Sequence, residues 1–416
     1  MSLFRFLISI VMIQAWLAAE PTIEVVKGVE ALPKLAVEDA SAQTGDTTQR
    51  MAKMLVADMN VVSLFNVDER YAAAPFDDVS PAPLHKDAQF VLRYRLQNDN
   101  AGGLKADVKL LQNGLELFNK TYVLKQTEMM VFLSHTIAYD INAKLGGASM
   151  DWIKRKVLFV RLSGPRRSDI VAADYTLSYQ KVILSGGLYG FAKWANREQT
   201  DLYYTSFGDY QPTIYKMNLM TGQREKLISS DGMAVCSDVS EDGKRLLLTL
   251  APNGQPDIYM YDTLTRGKTR LTDYSGIDVN GQFMGDDTIA FVSNRLGNPN
   301  IFSKKIGSSA VSQLVYQGKN NSSLSSYKNF LVYKAREGAS FGGNTFNLHL
   351  LSMNSGSVKR LTASGVNDFP RFSPDGEAVL FIKQEGARSS VGVIRLGVNK
   401  SFAFPLKMGR IQSIDW

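Results

Sequence analysis

The sequence predicts an α+β chain of two domains, in which an N-terminal α/β domain is followed by a six-bladed β-propeller. Three observations support this prediction. They are an apolar stretch at the start, a helix–strand–helix order in the first third, and a motif that returns about every 44 residues in the second half. We assign residues 1–19 to a signal peptide, 20–150 to the α/β domain and 155–416 to the propeller.

The composition of the 416 residues is that of an ordinary globular protein, with 44% apolar and 21% charged residues. The formal net charge is +7, but Lys and Arg are spread along the chain and interleaved with Asp and Glu. Because phosphate binding needs basic residues gathered on one face, the sequence predicts no nucleic-acid partner.

The first nineteen residues have the layout of a secretory signal peptide. Arg5 precedes the apolar stretch Phe6–Met12, and the small residues Ala18 and Ala19 stand before Glu20. The apolar stretch is too short to cross a bilayer with its flanks. We therefore predict export with cleavage after Ala19, and a retained membrane anchor is the alternative.

Cysteine and histidine are too scarce to build a disulfide or a metal cluster. Cys236 is the only cysteine, and its apolar surroundings are typical of a small core residue. The three histidines, His85, His135 and His349, are scattered along the chain. We expect no metal and no cofactor.

The α/β domain is predicted from two helical patterns around three strands. A pattern resembling a capping box starts one helix at Asp46, which ends near Phe65. A second helix runs from near Thr127 to Gly146, and we interpret His135 on it as a hydrogen-bonded packing residue. Nothing in this domain resembles a catalytic motif.

Two-residue alternation between these helices predicts strands at Phe90–Leu96, Asp107–Leu111 and Glu116–Leu124. Asn113-Gly114 joins the last two as a hairpin, because both turn positions require positive φ. The proline-rich residues 72–88 are predicted to form a surface loop.

Each unit of the repeat contains a strand motif with an aromatic residue, followed by a second strand motif with a leucine. In the four units these leucines are Leu227, Leu271, Leu314 and Leu361. Tight turns such as Ser373-Pro374-Asp375-Gly376 separate the innermost strand of each unit from the second. We place five blades near residues 188–228, 235–272, 279–315, 322–362 and 368–406. The leftover segments 156–184 and 409–416 would pair to form the sixth blade and close the ring.

A hydrolase is the enzyme alternative, since Gly338-Ala339-Ser340-Phe341-Gly342 matches G-x-S-x-G. A nucleophile elbow needs a strand entering and a helix leaving, but strand-like residues follow this match. We therefore interpret it as a loop and predict that the protein is not an enzyme. A secreted propeller that binds a sugar or small ligand is the other alternative. Such a site needs aromatics and carboxylates deep in the channel, which the inner strands do not obviously supply.

The signal peptide, the small α/β domain and the repeats together resemble the TolB family over the whole mature chain. The repeat core Phe369–Gly376 carries the resemblance best, whereas other blades have Ser237 or Gly281 where Pro370 stands. The resemblance implies a non-enzymatic periplasmic scaffold of the Tol-Pal system that supports outer-membrane integrity and envelope constriction during cell division. It would bind the lipoprotein Pal and the protein TolA, with other envelope proteins as further candidate partners, and reach membranes only through its partners.

The resemblance also implies two sites on this sequence. Pal would bind at the channel mouth, just before each inner strand, at Tyr189, Gly190, Phe191, Met233, Ala234, Val235, Ile277, Asp278, Val279, Val366, Asn367 and Asp368. TolA would bind the mature N-terminal tail, at Glu20, Thr22, Ile23, Val25, Val26 and Gly28. An extended tail of this kind can add as a strand to a partner's sheet.

Overall fold

The computed structural model describes residues 22–25, 32–98, 102–337 and 345–416. Within these ranges the chain forms two α-helices, four short 3₁₀ helices and thirty β-strands. No helix in the described ranges has both the length and the apolar character needed to span a membrane. The predicted signal peptide and its cleavage position lie outside the described residues.

The first part of the chain contains both α-helices and a five-stranded sheet. Its elements are β1 (Thr22–Val25), β2 (Lys34–Asp39), α1 (Asp46–Val62), β3 (Asn66–Ala73), β4 (Phe90–Asn98), β5 (Leu104–Gln112), β6 (Leu115–Leu124) and α2 (Met130–Lys144), with 3₁₀ helices at Pro83–His85, Thr127–Met129 and Asp151–Lys154. The sheet order is β3-β2-β4-β5-β6, with α1 and α2 packed against it and each other. The two predicted helices and three predicted strands are confirmed.

Two features of this sheet differ from the sequence prediction. The central strand β2, which pairs in parallel with both β3 and β4, was not predicted, and neither was β3. The predicted surface loop 72–88 is wrong in part, because Ala82 and His85 are buried. His85 lies against Glu38 of β2, and this contact draws the loop into the interior.

The rest of the chain consists almost entirely of strands. They are β7 (Val157–Gly164), β8 (Arg167–Ala173), β9 (Gln180–Gly187), β10 (Tyr189–Trp194), β11 (Asp201–Ser206), β12 (Thr213–Asn218), β13 (Arg224–Ser229), β14 (Ala234–Val239), β15 (Arg245–Leu250), β16 (Asp257–Asp262), β17 (Lys268–Arg270), β18 (Asp278–Met284), β19 (Thr288–Leu296), β20 (Asn298–Lys305), β21 (Val311–Gln313), β22 (Lys319–Tyr327), β23 (Phe330–Glu337), β24 (Thr345–Ser352), β25 (Val358–Arg360), β26 (Val366–Phe372), β27 (Ala378–Glu385), β28 (Arg388–Arg395), β29 (Lys400–Pro405) and β30 (Arg410–Asp415). A fourth 3₁₀ helix lies at Pro252–Gly254.

These strands form antiparallel sheets arranged in a ring. The orders β30-β7-β8-β9, β10-β11-β12-β13, β14-β15-β16-β17 and β18-β19-β20-β21 are separate four-stranded sheets. The groups β22 to β25 and β26 to β29 are joined by a parallel bridge between Phe346 and Val366, and β1 pairs with β29. The innermost strands β10, β14, β18, β22, β26 and β30 contact one another in cyclic order, so the sheets close a propeller.

One apolar core extends from the N-terminal sheet into the ring. It includes Leu55 of α1, Trp152, Tyr175, Phe404 and Trp416. Trp416, directly after β30, lies 5.4 Å from Trp152 between ring centroids. The two parts of the molecule therefore share buried side chains across their junction.

Asp58 of α1 lies at the centre of this junction. It accepts hydrogen bonds from Ser134 and His135 of α2 and from Tyr175, which follows β8. The other imidazole nitrogen of His135 lies 3.4 Å from Asp174 Oδ2. Burial lowers the pKa of His135, but the two carboxylates outweigh it and raise the pKa to about 9. The prediction that His135 is a hydrogen-bonded packing residue is confirmed.

Candidate binding site in the ring channel

The innermost strands of the ring are irregular at the point where they line the channel. Each has a shift of register against its neighbour, as between Gly190 and Lys193 in β10 and between Asp368 and Arg371 in β26. The corresponding shifts occur in β14, β18, β22 and β30. Phe191 and Phe369 adopt positive φ within these bulges, at 52° and 49°. Bulges of this kind re-aim the following side chain.

The residues at or just beyond the bulges form a polar ring that we name the channel belt. It consists of Lys193, Asp238, Gln282, Ser325, Arg371 and Asp415, one from each innermost strand. Side chains that can donate hydrogen bonds alternate around the belt with side chains that accept them. Neighbouring blades are therefore linked by complementary groups.

Two kinds of contact hold the belt together. Lys193 Nζ lies 3.0 Å from Asp415 Oδ1 and 3.8 Å from Asp238 Oδ1. In addition, the residue directly after each of the belt residues Lys193, Gln282 and Arg371 donates its backbone N–H to the belt residue of the preceding blade. Trp194 donates to Asp415, Phe283 to Asp238 and Phe372 to Ser325, at 3.0, 2.9 and 3.2 Å. Burial raises the pKa of Asp238, although Lys193 acts in the opposite direction.

A cavity of about 230 Å³ lies on one side of the belt, and we name it the apolar cavity. Its walls include Phe191, Met233, Val235, Val279, Val292, Phe369 and Ile414, and its polar lining includes Lys193, Arg371, Ser413 and Asp415. Cys236 also borders it, and burial raises the pKa of this thiol to about 12, so the thiolate nucleophile is not formed at neutral pH.

A larger cavity of about 510 Å³ lies on the other side of the belt. It is bordered by all six belt residues and by charged side chains such as Arg155, Glu198 and Glu241. Lys193, Arg371 and Asp415 border both cavities, so they lie between them. The belt thus divides the channel into an apolar and a polar part.

Four of the twelve residues named for the channel mouth come together in the apolar cavity, namely Phe191, Met233, Val235 and Val279. The other eight do not line it: they are Tyr189, Gly190, Ala234, Ile277, Asp278, Val366, Asn367 and Asp368. Asp278 is buried against Arg295 at 3.0 Å, and Asp368 accepts a hydrogen bond from Lys334 at 2.7 Å. Asn367 is also buried, and it donates to the Phe346 carbonyl at 3.0 Å.

Sequence reasoning missed the belt and several residues that line the cavity, including Lys193, Phe369, Arg371, Ser413 and Asp415. A signal was present in the repeat, because Asp238 and Arg371 each stand two residues before the serine of a tight turn. The bulges conceal this signal, since an inserted residue changes which side chains point inward. Phe191, Phe369 and Asp415 border one cavity, although they come from three different inner strands.

The N-terminal tail is described only at Thr22–Val25, where the backbone pairs antiparallel with β29. Thr22 is opposite Ala403 and Val25 is opposite Lys400. The remaining residues named for the tail, Glu20, Val26 and Gly28, lie outside the described residues, as does the Gly338–Gly342 segment.

Comparison with known proteins places the chain in a family. A family model described as "TolB beta propeller domain" matches residues 150–416. The Tol-Pal system protein TolB of Wolinella succinogenes is 43% identical over 96% of both chains, and that of Campylobacter jejuni is 44% identical over the same shares. The crystal structure of TolB from Acinetobacter baumannii, 22% identical, superposes with a TM-score of 0.75 over 95% of this chain and 99% of that one. The chain belongs to the TolB family.

Proposed function

We propose that this chain is a non-enzymatic periplasmic component of the Tol-Pal system, which binds Pal at the mouth of the ring channel and TolA through its N-terminal tail. In this role it supports outer-membrane integrity and envelope constriction during cell division. The naming of its relatives as Tol-Pal system proteins supports the assignment. The observation that carries the Pal site is the apolar cavity, which Lys193, Arg371 and Asp415 of the belt border.

The ring is proposed to contain six four-stranded blades. Division of the nine-stranded sheet at the bridge between Phe346 and Val366 leaves two four-stranded groups and β1. Residues 155–416 would then form the propeller, closed where β30 pairs with β7, and residues 20–150 the N-terminal domain. Export with cleavage after Ala19 completes this assignment.

The apolar mouth suits a protein partner better than a sugar or a small ligand. Ligand pockets typically measure about 300–1,000 Å³. The cavity here, at about 230 Å³, is below that range and fits a side chain of a larger molecule. Met233, which lines the cavity, is 36% exposed. Apolar side chains held at the rim of a rigid cavity can act as binding anchors.

The tail is proposed to bind TolA by strand addition. Its backbone at Thr22–Val25 already pairs with β29, so the segment can present an edge to another strand. A partner that pairs with the same residues would compete with β29. Deletion of residues 20–25 should therefore abolish TolA binding and leave Pal binding unchanged.

The Pal site is tested by calorimetric titration of purified Pal into the mature chain and its variants. We expect Met233→Ala to weaken Pal binding by about tenfold or more, as for an interface anchor. Met220→Ala is the matched control, because Met220 is 85% exposed on an outer turn and should change affinity less than about twofold. If the two variants changed the affinity for Pal equally, the proposal that Pal binds at the channel mouth would be wrong.

A further inference from the structure

Arg371 and Ser413 border the apolar cavity, and two of their polar atoms are buried with no hydrogen-bond partner among the described residues. These atoms are Arg371 Nε and Ser413 Oγ. Ser413 is 4% exposed, and the Arg371 side chain is 14% exposed. The closest carboxylate oxygen to Arg371 Nε is Asp415 Oδ1 at 3.6 Å, which is too long for a hydrogen bond. Buried donors of this kind favour a ligand that accepts from them.

The charges of the belt restrict the ligand further. Lys193 and Arg371 carry two positive charges, and Asp238 and Asp415 carry two negative charges when ionised, so the belt is balanced. A charged ligand group would enter this buried site without a counterion of its own. A neutral hydrogen-bonding group leaves the balance intact.

The walls restrict the rest of the ligand. Val235, Val279 and Ile414 offer no hydrogen bonds, so the part of the ligand beside them is aliphatic. A carbonyl oxygen of the ligand could accept from Arg371 and Ser413, which both border the cavity. An adjoining N–H could donate to Asp415, whose Oδ1 also accepts from Lys193. A terminal carboxamide supplies both groups.

We propose that the apolar cavity binds a partner side chain that has an aliphatic stem and a neutral terminal amide, for which glutamine is the best match. This inference rests on the proposed function, in which a protein partner binds at the mouth. Arg371 and Ser413 determine the specificity for the amide, and the apolar walls hold the stem.

Small six-carbon probes test the cavity without any partner. Hexanamide, hexanoate and hexylammonium are titrated separately into the full mature chain, and binding is followed by calorimetry. We expect hexanamide to bind at least about tenfold more tightly than either charged probe, since a charge would lack a counterion. Tighter binding of hexanoate or hexylammonium, or binding of no probe, would overturn the inference.

Variants assign the contacts. Ser413→Ala and Arg371→Lys should each weaken hexanamide binding about fivefold to tenfold, as expected for one hydrogen bond. Ser373→Ala, a buried serine that does not border the cavity, should leave the affinity within about twofold. Near-ultraviolet circular dichroism checks that each variant is folded. If Arg371→Lys does not fold, the affinity of Ser413→Ala for hexanamide alone decides the test. An unchanged affinity in Ser413→Ala contradicts the assignment.

Competition with Pal separates this inference from the proposed function. Hexanamide should weaken Pal binding, whereas hexanoate at the same concentration should not. If Pal binds and hexanamide does not compete, the amide site is wrong and the function stands. If Pal does not bind and hexanamide does, the chemistry of the cavity is supported and the proposed partner is wrong.

Discussion

Two of the regions that bury charged side chains differ in how those charges are paired, one beneath the 74–85 segment of the N-terminal domain and the other along the belt of the ring channel. In the first region Glu38, His85 and Arg93 form a cluster whose side chains are all 0% exposed. Glu38 contacts His85 at 3.1 Å and Arg93 at 2.5 Å. We name these three residues the closed cluster.

Every polar atom of the closed cluster has a partner. Arg93 donates to Glu38 and to the carbonyls of Pro75, Asp78 and Ser80. The second nitrogen of His85 lies 3.1 Å from a backbone carbonyl of β3. Burial raises the pKa of Glu38, but His85 and Arg93 outweigh it and hold the pKa below its usual value. The cluster therefore fastens a loop to the sheet.

The channel belt is built differently. Its charged side chains border two cavities, and Arg371 Nε has no hydrogen-bond partner among the residues described. The comparison shows that burial of charge has two outcomes. Where all partners come from the chain, the charges stabilise the fold. Where a buried donor has no partner in the chain, it is left to pair with a group from outside the chain, as we propose for Arg371.

The largest effect is expected from Arg93→Ala. The substitution leaves Glu38 buried without its cation and frees three loop carbonyls, so the free energy of unfolding should fall by about 3–5 kcal/mol. Urea denaturation followed by circular dichroism measures this. Arg95→Ala in the same strand is the control: Arg95 pairs with Asp107 but is 33% exposed, and its loss should cost less than about 1 kcal/mol. Equal losses would contradict the description of the cluster as closed.

The junction is expected to show the next largest effect, through His135. Its folded pKa, about 9, lies above the ordinary value of 6.5. The protonated form is therefore stabilised by folding. This contribution is fully present below pH 6.5 and is lost as the pH rises from 6.5 through 9, by about 3 kcal/mol in total. Unfolding free energies measured from pH 6 to 9 should fall accordingly.

His135→Gln provides the control for this pH dependence. Gln can still hydrogen-bond to Asp58 but does not titrate, so its stability should vary less between pH 6 and 9. The same slope in both proteins would show that another group is responsible.

A smaller effect is expected for a belt charge. Lys193→Met keeps the aliphatic stem but leaves Asp238 and Asp415 without their shared cation. The larger cavity, which both carboxylates border, gives them access to solvent. We expect a loss of about 1–2 kcal/mol, between the values for exposed and buried pairs. Lys226→Met on an exposed strand should change stability by less than about 0.5 kcal/mol. If the loss of unfolding free energy were as large as for Arg93→Ala, the belt charges would be as important for stability as those of the closed cluster, and the two regions would not differ in this respect.

The sequence predicted those parts of the fold in which local pattern and structure agree. Asn113-Gly114 is such a case, because both residues adopt positive φ, at 49° and 84°, between the strands that it was predicted to join. The ring was predicted from its repeat, since each unit forms its own hairpins. Strand β2 was missed because it is short and carries buried charge at Glu38 and Asp39, where an apolar pattern would be expected.

The candidate site was predicted less completely, for a physical reason. Met233 and Val235 precede the bulge of β14 and border the cavity, as does Val279 before the bulge of β18. Most of the other residues chosen near the start of an inner strand do not border it. Beyond each bulge the two-residue alternation is broken, so Arg371 and Asp415 could not be assigned to the channel by counting along the strand. Partner contacts across the ring depend on the closed structure and have no local signal.

The smallest effect is expected for Ser413→Ala, and it tests the premise of the comparison most directly. Ser413 Oγ is buried without a partner, so its removal deletes no hydrogen bond and should change the free energy of unfolding by less than about 0.5 kcal/mol. Ser373 is the matched control, because its equally buried hydroxyl donates to Asp375 at 2.6 Å and accepts from the Ala378 N–H at 2.9 Å. Ser373→Ala leaves that N–H unpaired and should cost about 1–3 kcal/mol. If urea denaturation showed a larger loss of unfolding free energy for Ser413→Ala than for Ser373→Ala, the Ser413 hydroxyl would stabilise the fold. The distinction between the closed cluster and the channel belt would then fail.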